Sequence, residues 1–148
     1  MRGIAIRIGI VAIFIIGGLV FRQFLSGNAG DLKAGDCFDL PAPGTETVKD
    51  VQHRPCDQDH GAEVFFVGDY PGSGSDPYPT EDEMIAFLTD SCLPAYTTYS
   101  KTDLTTQDTY DVGWFQPTAE GWKGSDQSVI CYVYRLDETK FKGSLKGG

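Results

Sequence analysis

Four cysteines, Cys37, Cys56, Cys92 and Cys131, constrain this chain more than any other feature, because all four follow a long apolar N-terminus. From Ile8 to Phe21 there are 14 residues without a charged or polar side chain. As a helix they cover about 21 Å, short of the roughly 30 Å hydrocarbon core. Extension from Ile4 to Leu25 reaches about 33 Å, with Arg7 and Arg22 snorkelling to the two headgroup layers. Arg2, Arg7 and the free amine precede the apolar core, which places the N-terminus in the cytoplasm. The expected organisation is a transmembrane anchor over 1–25, a linker over 26–33 and an extracytoplasmic domain over 34–147. The competing reading is a cleaved secretory signal, with Gly27 and Ala29 as the small residues before a cut at Gly30.

Either way the cysteines reach an oxidising compartment, where four thiols are read as two bridges and not as metal ligands. Three connectivities are open. Pairing Cys37 with Cys56 and Cys92 with Cys131 keeps both loops short, and each bridge is then expected to contribute about 3–4 kcal/mol. The chain holds 21 acidic and 12 basic residues. Arg2, Arg7 and Arg22 lie before residue 31, where no acid occurs, so the exported part carries 21 acids against 9 bases, a net charge of −12. That argues against a basic patch for nucleic acid or an anionic membrane surface, and is compatible with cationic partners.

The exported part reads as α+β. Ala62 to Gly68, "AEVFFVG", is apolar on both faces and fits a central buried strand. Thr80 with Glu83 forms a capping-box signature ahead of a helix, and Glu81, Asp82 and Glu83 suit its positive end. Ile85, Leu88, Cys92, Tyr96 and Tyr99 fall on one helical stripe. Pro94 predicts a kink or a break. In Ser128 to Leu136, Val129, Cys131 and Val133 face one way, and Ile130, Tyr132, Tyr134 and Leu136 the other. Tyr110–Pro117 and Lys140–Leu145 read as weaker strands. The expected architecture is a small antiparallel or mixed sheet with one main helix packed on it, braced by two disulfides. Asp69 to Pro79 is a surface loop.

The segment "VQHRPCDQDHGAEVFFV" carries the candidate chemistry. His53, Cys56 and His60 have a zinc-like spacing, but a bridged Cys56 removes the thiolate and no C-x₂-C pair occurs. Asp57, Asp59, Gly61 and Glu63 alternate like the start of a calcium loop, without its distal bidentate Glu. His60 with Glu63 forms a general-base pair with no specified nucleophile. The reading adopted is structural: His60 at the mouth of the Ala62 strand, its ring bonded to a backbone carbonyl, with His53 exposed. Trp114 and Trp122 bracket a turn and read as core and rim packing; exposed, they would be the best available binding surface.

Gly35-Asp36-Cys37-Phe38, the Val51–Cys56 run, His60 followed by Ala62-Glu63-Val64-Phe65, and Cys92 late in a helix together resemble the septum formation domain. So do Pro117, Trp122, Gly124, the Val129–Tyr134 strand and the closing Gly143–Gly147. The resemblance spans about residues 34–147; "GSDQSVIC" at Gly124 departs from it by lacking Gly-Asp-Arg before the last strand. It implies a bacterial envelope protein with one membrane span and a link to division or envelope assembly. It brings no catalytic residue, cofactor or metal; the two disulfides and the His60/Glu63 corner are what it carries over. The expected function is a membrane-anchored, non-catalytic extracytoplasmic domain that binds an envelope or division protein. The alternative is an envelope hydrolase or metal-dependent enzyme centred on His60, Asp57, Asp59 and Glu63.

Overall fold

The computed structural model describes residues 26–45 and 47–148; the expected membrane anchor lies outside them. Six strands, β1 (Ser26–Asn28), β2 (Cys37–Asp39), β3 (Asp50–Arg54), β4 (Ala62–Asp69), β5 (Tyr110–Phe115) and β6 (Ser128–Arg135), form one sheet. Their order is β1-β3-β2-β4-β6-β5, and every pairing is antiparallel. Helix α1 (Glu81–Ser100) packs on one face, and the short α2 (Ala119–Lys123) leads into β6. The α+β reading holds, with the sheet wholly antiparallel. Among the described residues no helix is long and apolar enough to cross a membrane.

Strand β4 is central and its first half, Ala62 to Phe65, is buried on both sides, with Glu63 the one polar side chain among them. A register shift between Val64 and Phe66 makes Phe65 a bulge residue. The extra residue turns both Phe65 and Phe66 toward α1, whereas Ala62 and Val64 face the opposite side. Strand β6 alternates as its sequence reads: Val129, Cys131 and Val133 join the helix-side core, and Ile130 lies in the core of the other face. The sheet therefore carries two cores. The second contains Ala29 and Leu32 from the segment expected to be a linker. That segment is part of the fold: Gly27 lies opposite Val51, and the Ala29 N–H donates to the Lys49 carbonyl.

Helix α1 begins as its signature predicts, with Thr80 and Glu83 exchanging both capping-box bonds. It ends at Lys101, whose φ of 60° is left-handed. The buried ridge runs Met84, Leu88, Cys92, Tyr96 and Ser100. Ile85, expected on it, is 44% exposed, whereas Met84 is 3% exposed. At about 100° per residue Met84 lies roughly 40° from Leu88 around the axis and Ile85 roughly 60° on the other side, and the sheet covers the nearer one. No break occurs at Pro94, which sits inside one continuous helix. Pro94 is exposed, and so is Asp90, whose carbonyl loses the bond, so the loss falls on a solvated side.

Both disulfides pair as the short loops favour, Cys37 with Cys56 and Cys92 with Cys131. The second ties α1 to the middle of β6 with both cysteines fully buried. Lys140–Leu145 is not a strand. Phe141 makes one isolated bridge to His60, and Gly143 at φ 93° takes the chain out of extended geometry.

Candidate functional site

His60 and Glu63 are placed by the turn after Cys56 and by the alternation of β4. His60 exchanges backbone bonds with Phe141 at 3.0 Å each way, and its ring lies edge-on to Phe141 with centroids 4.3 Å apart. Nδ1 is 2.8 Å from the Gln58 carbonyl, which assigns the proton to Nδ1. The Nε2 lone pair is buried and has no partner among the described residues. Glu63, equally buried, accepts from the Tyr99 hydroxyl at 2.6 Å, the Ser144 hydroxyl at 2.5 Å and the Leu145 N–H at 2.7 Å. These bonds hold the C-terminal strap against the sheet. Burial, then the bond to Glu63, pushes the Tyr99 phenol above its ordinary range.

Ligand atoms of Cys37, His60 and Glu63 lie within 4.8 Å of one another. Cys37 is spent on its bridge and the Glu63 oxygens already face three donors, so this donor set fits an ion poorly. Asp57 and Asp59 do not join it; both are exposed on the turn. The four residues considered together as an acidic and imidazole cluster thus separate into a buried pair and a solvated pair. His53, expected exposed, is half-buried, and a Cβ on Gly27 would meet its ring at 2.6 Å.

The two tryptophans also separate. Trp122 is 2% exposed, donates Nε1–H to the Asp76 carbonyl at 2.9 Å, and packs edge-on to Tyr70 and Tyr78. It anchors the Asp69–Pro79 loop, which approaches so closely that a Cβ on Gly74 would lie 2.7 Å from the Trp122 carbonyl oxygen. Trp114 is 38% exposed, and its indole N–H donates to Gln116 at 2.9 Å.

The β5 backbone around Gly113 borders an open cleft of about 660 Å³ on the sheet face away from α1, whereas Trp114, paired with Cys131, turns its indole to the α1 face beside Met84 and Ile85. Tyr132 and Tyr134 of β6 form part of its lining, with β5 from Val112 to Trp114 and the Leu40–Pro43 loop. Gly113 is required here, since a Cβ would lie 2.5 Å from the Tyr132 ring. Tyr132 also packs on Phe38 and Phe115, which fixes the ring from the core side. At one end Asp39 is held by Arg54 and Lys140, each at 2.8 Å. Burial opposes its ionisation, but the two cations win and keep its carboxyl below the usual carboxylate range. At the other end the Tyr134 hydroxyl lies 3.5 Å from Asp111 Oδ2. Sequence reasoning missed this cleft. Its one signal was the tyrosine-bearing face of β6, aromatic bodies with polar tips that suit a half-wet surface.

The free edge of β5 is partly closed. Gln107 bonds the Tyr110 N–H and carbonyl, and Asp111 Oδ1 takes the Val112 N–H. An added strand would have to displace those side chains, so the open face offers more than the edge does.

Burial raises Tyr96, Tyr99, Tyr132 and Tyr134, with Tyr132 pushed to about 12 by burial and then by Tyr134. The unfolded chain ionises these phenols near pH 10, whereas the folded chain holds their protons longer. The associated stability is complete below about pH 10 and is lost as pH rises toward 12. A lower urea midpoint at about pH 11 than at about pH 9 is the expected result; equal midpoints would count against it.

The family model described as septum formation matches residues 34–147. No curated protein and no solved structure matches the chain. The match takes in both disulfides, the His60–Glu63 corner and the cleft. The chain belongs to the septum formation family.

Proposed function

We propose that this is a single-pass envelope protein, N-terminus in the cytoplasm, whose disulfide-braced domain outside the membrane binds a protein or envelope component without catalysis during septum formation and cell division. The carrying observation is the cleft. It is open and aromatic, and none of its described lining residues is a serine, cysteine or histidine. Its half-buried carboxylate, Asp39, is neutralised by two cations. Such a lining supports recognition better than turnover. Two bridged cysteine pairs support an oxidising location. The Ala29 packing supports an uncleaved anchor, because a mature chain starting at Gly30 would lack all of β1.

Crosslinking in intact cells, followed by capture through a tag on Gly148, tests the orientation and the role. Envelope or division proteins are the expected catch, and recovery of cytoplasmic proteins alone would refute both. The runner-up, a metal-dependent hydrolase, draws on the proximity of Cys37, His60 and Glu63. Metal analysis of the purified chain separates the two. A stoichiometric ion would favour the enzyme, and a metal-free chain is expected.

A further inference from the structure

The geometry points to a basic side chain, lysine or arginine on an extended partner segment, as the occupant of the cleft, its cation seated against Tyr134 between Asp111 and Glu138. The inference rests on the recognition role proposed above and names its chemistry.

Three observations carry it. First, the charges in the cleft and beside it are unevenly spent. Asp39 at one end has Arg54 and Lys140 as ion partners, whereas neither Asp111 nor Glu138 has one among the described residues. Glu138 stands just beyond β6 at φ 56° and lines the cleft, and Asp111 touches the Tyr134 hydroxyl. Two carboxylates without ion partners beside one tyrosine ring make a place where a cation gains both ionic and ring-face attraction. Second, the neighbouring surface is aromatic. Tyr132 continues the lining beside Tyr134, together with Pro41 and Pro43 of the Leu40–Pro43 loop. Lysine and arginine stems lie well on such surface while their heads reach carboxylates. Third, the exported part carries net charge −12, so its long-range field draws cations and repels anions. A neutral glycan would use the rings but gain nothing from this field.

The full chain is titrated with a labelled decapeptide of alternating lysine and glycine. The matching glutamine–glycine peptide and chitohexaose serve as neutral probes, and anisotropy or displacement is read at low and at raised salt. Saturable binding of the lysine peptide is expected, weakening as salt rises. Changing Asp111→Asn together with Glu138→Gln should weaken it on the order of tenfold. Both substitutions keep the side-chain shape, and the amide introduced in place of the Asp111 carboxylate retains an oxygen that can accept from Val112. Changing Asp82→Asn with Asp90→Asn, on the exposed face of α1, removes equal charge elsewhere and should change affinity by less than about twofold. No saturable binding at low salt, equal losses in the two double variants, or tighter binding of either neutral probe would overturn the inference. Because the titration uses purified protein, its failure leaves the envelope location and septal role standing. A cytoplasmic orientation in cells would leave the titration result standing.

Discussion

Replacing Cys92 and Cys131 by alanine is expected to lower the thermal midpoint by about 15 °C, more than replacing Cys37 and Cys56 does. The loop they close spans 39 residues, against 19 for Cys37–Cys56. On the chain-entropy account the longer loop contributes about 4 kcal/mol and the shorter about 3. The difference widens in the core, because Cys92 and Cys131 are fully buried among Phe65, Leu88, Tyr96 and Val133, and two alanines leave unfilled volume there. Cys56 sits nearer the surface and leaves less behind. Urea unfolding separates the two effects. Reducing the remaining bridge in a Cys37→Ala, Cys56→Ala background keeps both sulfur atoms in place and removes only the cross-link. The midpoint should then fall by less than in the Cys92→Ala, Cys131→Ala pair, and the slope should steepen as the unfolded chain expands. If reduction costs as much as double substitution, the packing of the two sulfur atoms contributes nothing beyond the cross-link.

The same bridge shows why some of this structure can be read from sequence. Cys92 falls on a helical stripe and Cys131 on one face of an alternating strand, and both patterns are local. So are the Thr80–Glu83 cap and the apolar run of β4. What escapes is whatever depends on how elements meet. Met84 and Ile85 are equally apolar, and the way α1 lies on the sheet decides which one is buried. Ser26 to Leu32 has a linker's composition, yet the small Gly27 lets the chain lie against the His53 ring, and Ala29 and Leu32 then fill the second core. Lys140–Leu145 alternates like a strand, but Gly143 and the Glu63 carboxylate shape it into a strap.

The cleft escapes for the same reason in stronger form. Its lining comes from residues 39–43, Gly61, 112–114 and 132–140, and pairing of β5 with β6 brings the last two together. Trp114 and Trp122 look equivalent in the sequence because both flank one turn. Only the packing of the Asp69–Pro79 loop buries Trp122, while Trp114 stays partly exposed at the edge strand beside the start of α1. The acidic residues behave likewise. Asp57 and Asp59 stand close to His60 along the chain, yet the bridge to Phe141 holds His60 inward and β4 carries Glu63 inward, while the two aspartates stay in water.

Glu63→Ala is expected to destabilise the domain by about 4 kcal/mol, from a mechanism distinct from the disulfide's. A buried carboxylate with no cation beside it among the described residues persists because three donors converge on it, two hydroxyls and one N–H. Alanine leaves all three facing an apolar void, and an unsatisfied buried donor costs about 1–3 kcal/mol each, less where the freed strap reaches water. Glu63→Gln tests the donor logic at constant size. Its oxygen can still serve one side, but its NH₂ must then face either the Leu145 N–H or the Tyr99 and Ser144 hydroxyls. A loss of about 2 kcal/mol is expected, because the hydroxyls can rotate and the backbone N–H cannot. Ser144→Ala removes one donor from a carboxylate that keeps two and should cost about 1 kcal/mol. Hydrogen exchange gives the readout that general destabilisation would not. In Glu63→Ala the amides of Leu145 and Gly147, which bond Glu63 and the Tyr99 carbonyl, should lose protection ahead of the β4–β6 ladder. Uniform loss across strap and sheet would show that Glu63 supports the core at large and does not tether the C-terminal strap.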